Sequence, residues 1–210
     1  MPQVTPQRAL ELLMEGNARF AEDSSVQPRA DAARRKKVVE HGQQPFATII
    51  TCSDSRVPPE LIFDQGIGDL FVIRVAGNVC GPSELASIEY AVSYLHTPIL
   101  VVLGHTDCGA VTAATTGADV QGHMAPLLKR ISPAVDKARS QYPDLRGPDL
   151  VPYVVELNVW QSIEELFTAS AVAVELVRGE ELQVFGAVYH LDDGRVEWLD
   201  PHPEQDELLG

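Results

Sequence analysis

Four short runs of β-branched and large apolar residues set the tightest limit on how this chain folds. They lie at residues 46–51, 70–75, 99–103 and 182–189. None has helical period. Near-continuous apolar runs of this length read as strands buried on both faces, as in a parallel sheet. Helical segments separate them. In residues 83–96, Leu85, Ile88, Val92 and Leu95 recur three to four apart, and Pro82 suits a first turn. Segments 109–117, 124–138 and 157–178 also read as helical. The final pair of strands, 182–190 and 195–199, is joined by Asp192-Asp193-Gly194, a hairpin signal. The expected fold class is α/β. A mostly parallel central sheet, of about four parallel strands plus an antiparallel edge strand, is flanked by helices.

Residues 1–42 read as a helical arm ahead of this core. Thr5 can cap a helix with Pro6 at its first position, and Leu10, Leu13 and Phe20 give residues 6–22 an amphipathic face. A second helix covers about 31–41 and ends at Gly42. The 210 residues then form one domain, an arm (1–42) and an α/β core (43–210).

The formal charge of −14 repels nucleic acid and anionic membrane, so neither is an expected partner. The basic cluster Arg34-Arg35-Lys36-Lys37 reads as a solvated helix face. No stretch approaches the roughly 20 apolar residues that span a bilayer. The start, Met1-Pro2-Gln3-Val4-Thr5-Pro6, lacks a basic region followed by an apolar run, which favours a cytoplasmic protein. The three cysteines, Cys52, Cys80 and Cys108, argue against a disulfide framework.

Cys52 follows the first strand and His105 the third. If those strands are neighbours, both residues project into the crevice beyond the carboxyl ends of the sheet. Cys108 stands at a helix start, where the helix dipole helps hold a thiolate. Two thiolates and one imidazole suit zinc, and three protein ligands leave a fourth position open, as a catalytic site requires. Taken alone, a His-x-x-Cys spacing also arises by chance, and a single Cys after a strand is most often core.

The flanking residues narrow the choice. The two motifs are Cys52-Ser53-Asp54-Ser55-Arg56 and Gly104-His105-Thr106-Asp107-Cys108-Gly109. With them the sequence resembles the β-class carbonic anhydrases. The likeness runs from about Phe46 to Gly109 and continues more weakly through Gly186-Ala187-Val188-Tyr189 to Leu199, and the leading arm shares it. The resemblance implies Zn2+ held by Cys52, His105 and Cys108, with Asp54 and Arg56 as a catalytic dyad beside it. It also implies reversible hydration of carbon dioxide to bicarbonate and a proton by zinc-bound hydroxide that the dyad orients. Physically, the permanent cation of Arg56 lowers the pKa of Asp54. Elsewhere an Asp-x-Arg pair would be a surface ion pair worth less than about 1 kcal/mol. Because thiolate ligands donate charge to the metal, activity is expected to rise on the alkaline side of neutrality.

The family likeness also assigns substrate-site roles. Gln43 matches a substrate hydrogen-bond donor, or is a turn residue. Phe71 and Tyr90 match apolar walls supplied by a second subunit, although either could be core, and Tyr90 leans that way. Gly109 offers a backbone N–H beside the metal, or eases a tight helix start. One subgroup of the family is inhibited by bicarbonate bound near a tryptophan three residues before the first ligand. Here Ile49 takes that place, so Arg74 and Tyr189 lack their third partner and no bicarbonate-driven switch is expected. His41, His96, His123, His190 and His202 read as surface or capping residues, and Cys80 as a packed small hydrophobe. Rival readings are a carbonyl sulfide or carbon disulfide hydrolase on the same scaffold, a non-catalytic zinc-binding protein, and a redox protein using its thiols. The resemblance further implies a homodimer or homotetramer, with the arm either wrapping a neighbour or folding back on its own domain.

Overall fold

The apolar runs form the strands of one five-stranded sheet in the computed structural model, which describes residues 4–210. The strands are β1 (Ala47–Thr51), β2 (Leu70–Arg74), β3 (Ile99–His105), β4 (Gln183–Tyr189) and β5 (Val196–Trp198), in the order β2-β1-β3-β4-β5. β1 to β4 are parallel, and β5 is antiparallel to β4. The expected α/β class and the antiparallel edge are both present. The chain leaves β1 toward β2 on one side, and β3 lies on the other. The strand order therefore switches direction between β1 and β3, the place where α/β sheets bind ligands.

The helices are α1 (Pro6–Ala21), α2 (Ala32–His41), α3 (Pro59–Ile62), α4 (Pro82–Tyr94), α5 (Gly109–Thr116), α6 (Met124–Gln141), α7 (Val151–Ala169), α8 (Ala171–Arg178) and α9 (Gln205–Leu209). Every residue of β1 and β3 is buried, so both faces of the sheet are covered. Alternation along the strands divides the core in two. Ile50, Leu100 and Val102 face a layer that includes Ile131 and Val154. Ile49, Val101 and Leu103 face Ala9 and Leu13 of α1, with Ile62 and Phe63. α7 lies close against β3 and β4 because glycine stands at two contacts: a Cβ on Gly104 or Gly186 would come within 2.7 or 2.9 Å of Val159.

The structure departs from the sequence reading in detail. The helix expected over 157–178 is two helices. It begins earlier, with Pro152 in its first turn, and breaks at Ser170. There the Ser170 backbone is extended, and its hydroxyl accepts the Ala173 N–H while donating to Glu89 at 2.6 Å. α3 and α9 are too short to carry a period. The β4–β5 ladder ends at Tyr189 opposite Val196, the His190 N–H still donates to the Arg195 carbonyl, and residues 191–194 make the turn. Residues 1–3, part of the segment read for a leader, lie outside the described residues. Among those described, no helix is long and apolar enough to cross a membrane.

The arm folds back on its own core. Ala9 and Leu13 are fully buried. Asn17 donates to the carbonyls of Ile62 and Gly194 and accepts the Val196 N–H, tying α1 to the β4–β5 hairpin. Two carboxylates hold the linker after it. Asp64 accepts Arg19 and the amides of Val26 and Gln27, and Asp69 accepts Arg29, Arg34 and the Gly66 amide. Arg34 is thus pinned to the core rather than part of a solvated face, while α2 itself buries no residue.

Asn17→Ala removes three hydrogen bonds that bridge distant segments. At about 1 kcal/mol each, the expected destabilisation is about 3 kcal/mol. Urea unfolding should show a lower midpoint with an unchanged slope.

Candidate metal centre

β1 and β3 pair directly, with Thr51 opposite Leu103 and the Thr51 hydroxyl donating to the Leu103 carbonyl at 2.8 Å. Cys52 is the first residue past β1, and His105 is the last of β3. Cys108 occupies the N-cap of α5. The three residues sequence reasoning singled out thus meet at the switch point. All are buried, His105 completely, and their ligating atoms lie within 4.8 Å of one another.

The donor set fits a tetrahedral ion of the zinc type. The Cys52 and Cys108 sulfurs are 4.0 Å apart. Two sulfurs each ~2.3 Å from a tetrahedral ion would stand about 3.8 Å apart. His105 Nδ1 lies 2.8 Å from the Thr106 carbonyl, which can only accept, so the proton sits on Nδ1. That leaves Nε2 as a lone-pair donor, and Nε2 is buried without a hydrogen-bond partner. A buried imidazole nitrogen with a free lone pair beside two thiols suits a metal cation. The hydrogen bond from the Cys108 thiol, with the Gly77 amide at 3.3 Å, holds Cys52 well below the usual thiol range. Donating to that sulfur, together with burial, pushes Cys108 up. The pair gives its first proton readily and its second reluctantly, and a bound cation removes the second objection.

Asp54 leaves β1 two residues after Cys52. Its Oδ1 accepts the Arg56 amide at 2.9 Å and Arg56 Nε at 3.0 Å, and its Oδ2 accepts Arg56 Nη2 at 2.8 Å. The Arg56 side chain holds the carboxyl well below the usual carboxylate range against the opposing effect of desolvation. The stabilisation is present above the ordinary carboxylate pKa and lost only as pH falls into the acid range, so Asp54 is ionised at neutral pH. Asp54 Oδ2 also lies 4.0 Å from His105 Nε2.

Several supporting contacts were invisible to motif reading. Arg74, at the end of β2, donates to the carbonyls of Cys52 at 3.1 Å and Asp54 at 2.5 Å. The 3-10 turn Ala76–Asn78 brings the Gly77 N–H to Cys52. Gly77 has φ of +73°, and a Cβ there would lie 2.8 Å from Ile131. Thr106 is held by the hairpin, its amide donating to the Tyr189 carbonyl and its hydroxyl accepting the Leu191 N–H.

The candidate substrate residues fall elsewhere. Gln43 is exposed and precedes the amino end of β1, whereas Cys52 follows its carboxyl end. Phe71 pairs with Thr48, well down the sheet from the cluster. It touches Tyr90, which in turn stacks on Tyr94. Tyr90 is 45% exposed, so it is not core in the single chain. Gly109 is exposed beside Cys108 with open space around it. Cys80 is packed in the core, and burial pushes its thiol up to about 12. Of the five remaining histidines, His202 is not at the surface: it is buried against Trp160, although its Nδ1 accepts the Glu204 N–H ahead of α9, a capping role.

The family model for carbonic anhydrase matches residues 47–196. Carbonic anhydrase 2 of Mycobacterium tuberculosis is 39% identical over 199 residues, covering 93% of each chain. The carbonic anhydrase of Mycolicibacterium smegmatis is 37% identical over 202 residues, covering 94% of this chain and 95% of its own. The crystal structure of the β-carbonic anhydrase CafA of Aspergillus fumigatus superposes with a TM-score of 0.77 at 30% identity, over 95% of this chain and 94% of that one. The chain belongs to the β-class carbonic anhydrase family. These are zinc enzymes, and Cys52, His105 and Cys108 form a group that could hold the ion.

Titration of the metal-free protein with Co2+ or Zn2+ should saturate at one ion per chain with proton release. Cys52→Ser and Cys108→Ser should lose binding at least 100-fold, and Cys80→Ser should leave it unchanged. Metal analysis by mass spectrometry and competition with a chelator check both outcomes.

Proposed function

We propose that the chain catalyses reversible hydration of carbon dioxide to bicarbonate and a proton, with Zn2+ on Cys52, His105 and Cys108 and with Asp54 and Arg56 as catalytic residues. The observation that carries this reading is the 4.0 Å approach of the Asp54 carboxylate to the unpartnered His105 Nε2. It puts an ionised acceptor beside the point on which the three ligands converge. Bound there, Zn2+ supplies Lewis acidity and a nucleophile derived from water near neutral pH.

Asp54, ionised and so an acceptor only, would accept a hydrogen bond from the attacking oxygen and orient it toward the substrate carbon. Arg56 keeps the carboxylate charged and fixes its plane through two parallel bonds. Arg56 Nη2 also reaches the Asp107 carbonyl at 3.3 Å, which anchors the dyad to the loop between His105 and Cys108. Arg74 fixes the other side of the dyad through the Cys52 and Asp54 carbonyls. Asp54 is held by Arg56 and not turned onto the ligands, which supports the absence of a bicarbonate-driven switch when Ile49 stands in place of tryptophan.

The chain acts as a homodimer or homotetramer on this reading. Within one copy, Gln43, Phe71 and Tyr90 stand away from the carboxyl end of β1, so a second copy must bring them to the substrate. The exposed Tyr90–Tyr94 stack and a helix α2 that buries nothing favour such a contact. Gly109 leaves its N–H and the space beside it for substrate. We read the 210 residues as one domain, because the arm supplies part of its core. Three free thiols fit a reducing compartment such as the cytoplasm.

Stopped-flow carbon dioxide hydration by zinc-loaded protein should be fast and should rise between pH 7 and 9. Asp54→Asn should lower kcat/KM by about 100-fold or more with zinc content unchanged. A rate indifferent to Asp54→Asn would mark the protein as a zinc binder without this chemistry. Faster sulfide release from carbonyl sulfide or carbon disulfide than hydration of carbon dioxide would favour the hydrolase rival.

A further inference from the structure

α7 makes an unusual use of two polar residues one turn apart. Asn158 is 1% exposed, and its Nδ2 donates to the Gly77 carbonyl at 2.8 Å. Ser162, also 1% exposed, shares its hydroxyl proton between the Asn78 carbonyl at 2.9 Å and the Asn158 carbonyl of its own helix at 3.0 Å. Both partners belong to the 3-10 turn whose Gly77 N–H points at the Cys52 sulfur. At i and i+4, the two side chains project from the same face of the helix and grip consecutive carbonyls.

Stability alone does not account for Asn158. Its Oδ1 is buried with no partner, as is Nδ2 of Asn78. A half-satisfied buried amide weakens a core relative to an apolar side chain of the same size. What Asn158 supplies that an apolar residue cannot is a donor fixed on the Gly77 carbonyl. That carbonyl belongs to the peptide plane following Gly77, while the N–H on Cys52 belongs to the plane preceding it. Glycine at φ +73° is the hinge between the two planes. With the following plane held by Asn158, and the one after by Ser162, the N–H direction is fixed.

We propose that Asn158 and Ser162 are positioning residues for the metal centre, aiming the Gly77 N–H at the sulfur of Cys52. This inference rests on the metal assignment of the preceding subsection. An N–H bonded to a ligating sulfur withdraws charge from it, so the sulfur donates less to the ion and the ion remains a stronger Lewis acid. It also keeps the sulfur in place before the ion arrives, which raises affinity. Partners of metal ligands typically alter affinity by about 10–100-fold when removed.

The test uses Co2+ in place of zinc in the full-length protein, because sulfur-to-cobalt charge-transfer bands report the sulfur itself. Wild-type protein should bind one Co2+ with such bands. Asn158→Ala should move them to lower energy and speed loss of the ion to a chelator by about 10–100-fold. Ser162→Ala should do the same to a smaller degree. Ile163→Ala, one residue along α7 and packed in the same core, should lower the melting temperature but leave the bands and the extraction rate as in wild type. Bands and extraction rates unchanged in Asn158→Ala and Ser162→Ala would overturn the proposal. If Asn158→Ala does not fold, Ser162→Ala decides alone. Wild-type protein that binds cobalt without sulfur bands would instead overturn the metal assignment, and this inference with it.

Discussion

The direct parallel pairing of β1 with β3 is the constraint on which the site depends. Their register sets Thr51 against Leu103, and the Thr51 hydroxyl closes the pairing onto the Leu103 carbonyl. Cys52 and His105 therefore emerge side by side, although fifty-three residues separate them in sequence. A slip of one residue would exchange the faces of every side chain on the strand, driving Ile50 into the layer meant for Ile49. Burial on both faces forbids that slip, and the same burial encloses the His105 imidazole. The hydrophobic core thus fixes the relative positions of two donors to within what one ion can bridge.

The residues that gather at the site were legible in the sequence because their motifs are local. Cys52, Asp54 and Arg56 lie on one turn, and His105 and Cys108 on another, so each group's internal geometry follows from a few residues. The α/β class and the antiparallel edge were legible because short buried strands alternate with helical segments, whereas the adjacency of β1 and β3 stood only as a condition until the structure gave the strand order. What escaped notice acts across distance. Gly77, Asn158 and Ser162 reach the site from other elements, as do the contacts of Arg74, which was named only for a bicarbonate site, and nothing in a single sequence marks an asparagine on α7 as the neighbour of a turn eighty residues earlier. His202 was read as a surface or capping residue because nothing in the sequence singled it out. Its burial against Trp160 follows only from how the chain returns across α7. Gln43, Phe71 and Tyr90 were placed by family likeness, and one copy of the chain does not gather them.

The centre is built against stability. His105 Nε2, Asn78 Nδ2 and Asn158 Oδ1 are all buried and unpartnered within one region, and each such group costs about 1–3 kcal/mol. Well-packed layers on both sides of the sheet bear that cost. Local rules fail in this way where a protein keeps polar groups ready for a ligand rather than for itself.

The hydrogen bonds of Asn17 and Thr106 form one path. Asn17 on α1 holds the hairpin at Gly194 and Val196, and the hairpin in turn holds Thr106 through Tyr189 and Leu191. Thr106 adjoins His105 and accepts the proton that fixes its tautomer. One chain of hydrogen bonds therefore joins the amino-terminal helix to the carbonyl beside His105. In linkage language, the free energy released when an ion binds is shared along that path. The arm is most protected from fraying when the distant centre is filled, and loosening the arm is felt as weaker binding of the ion.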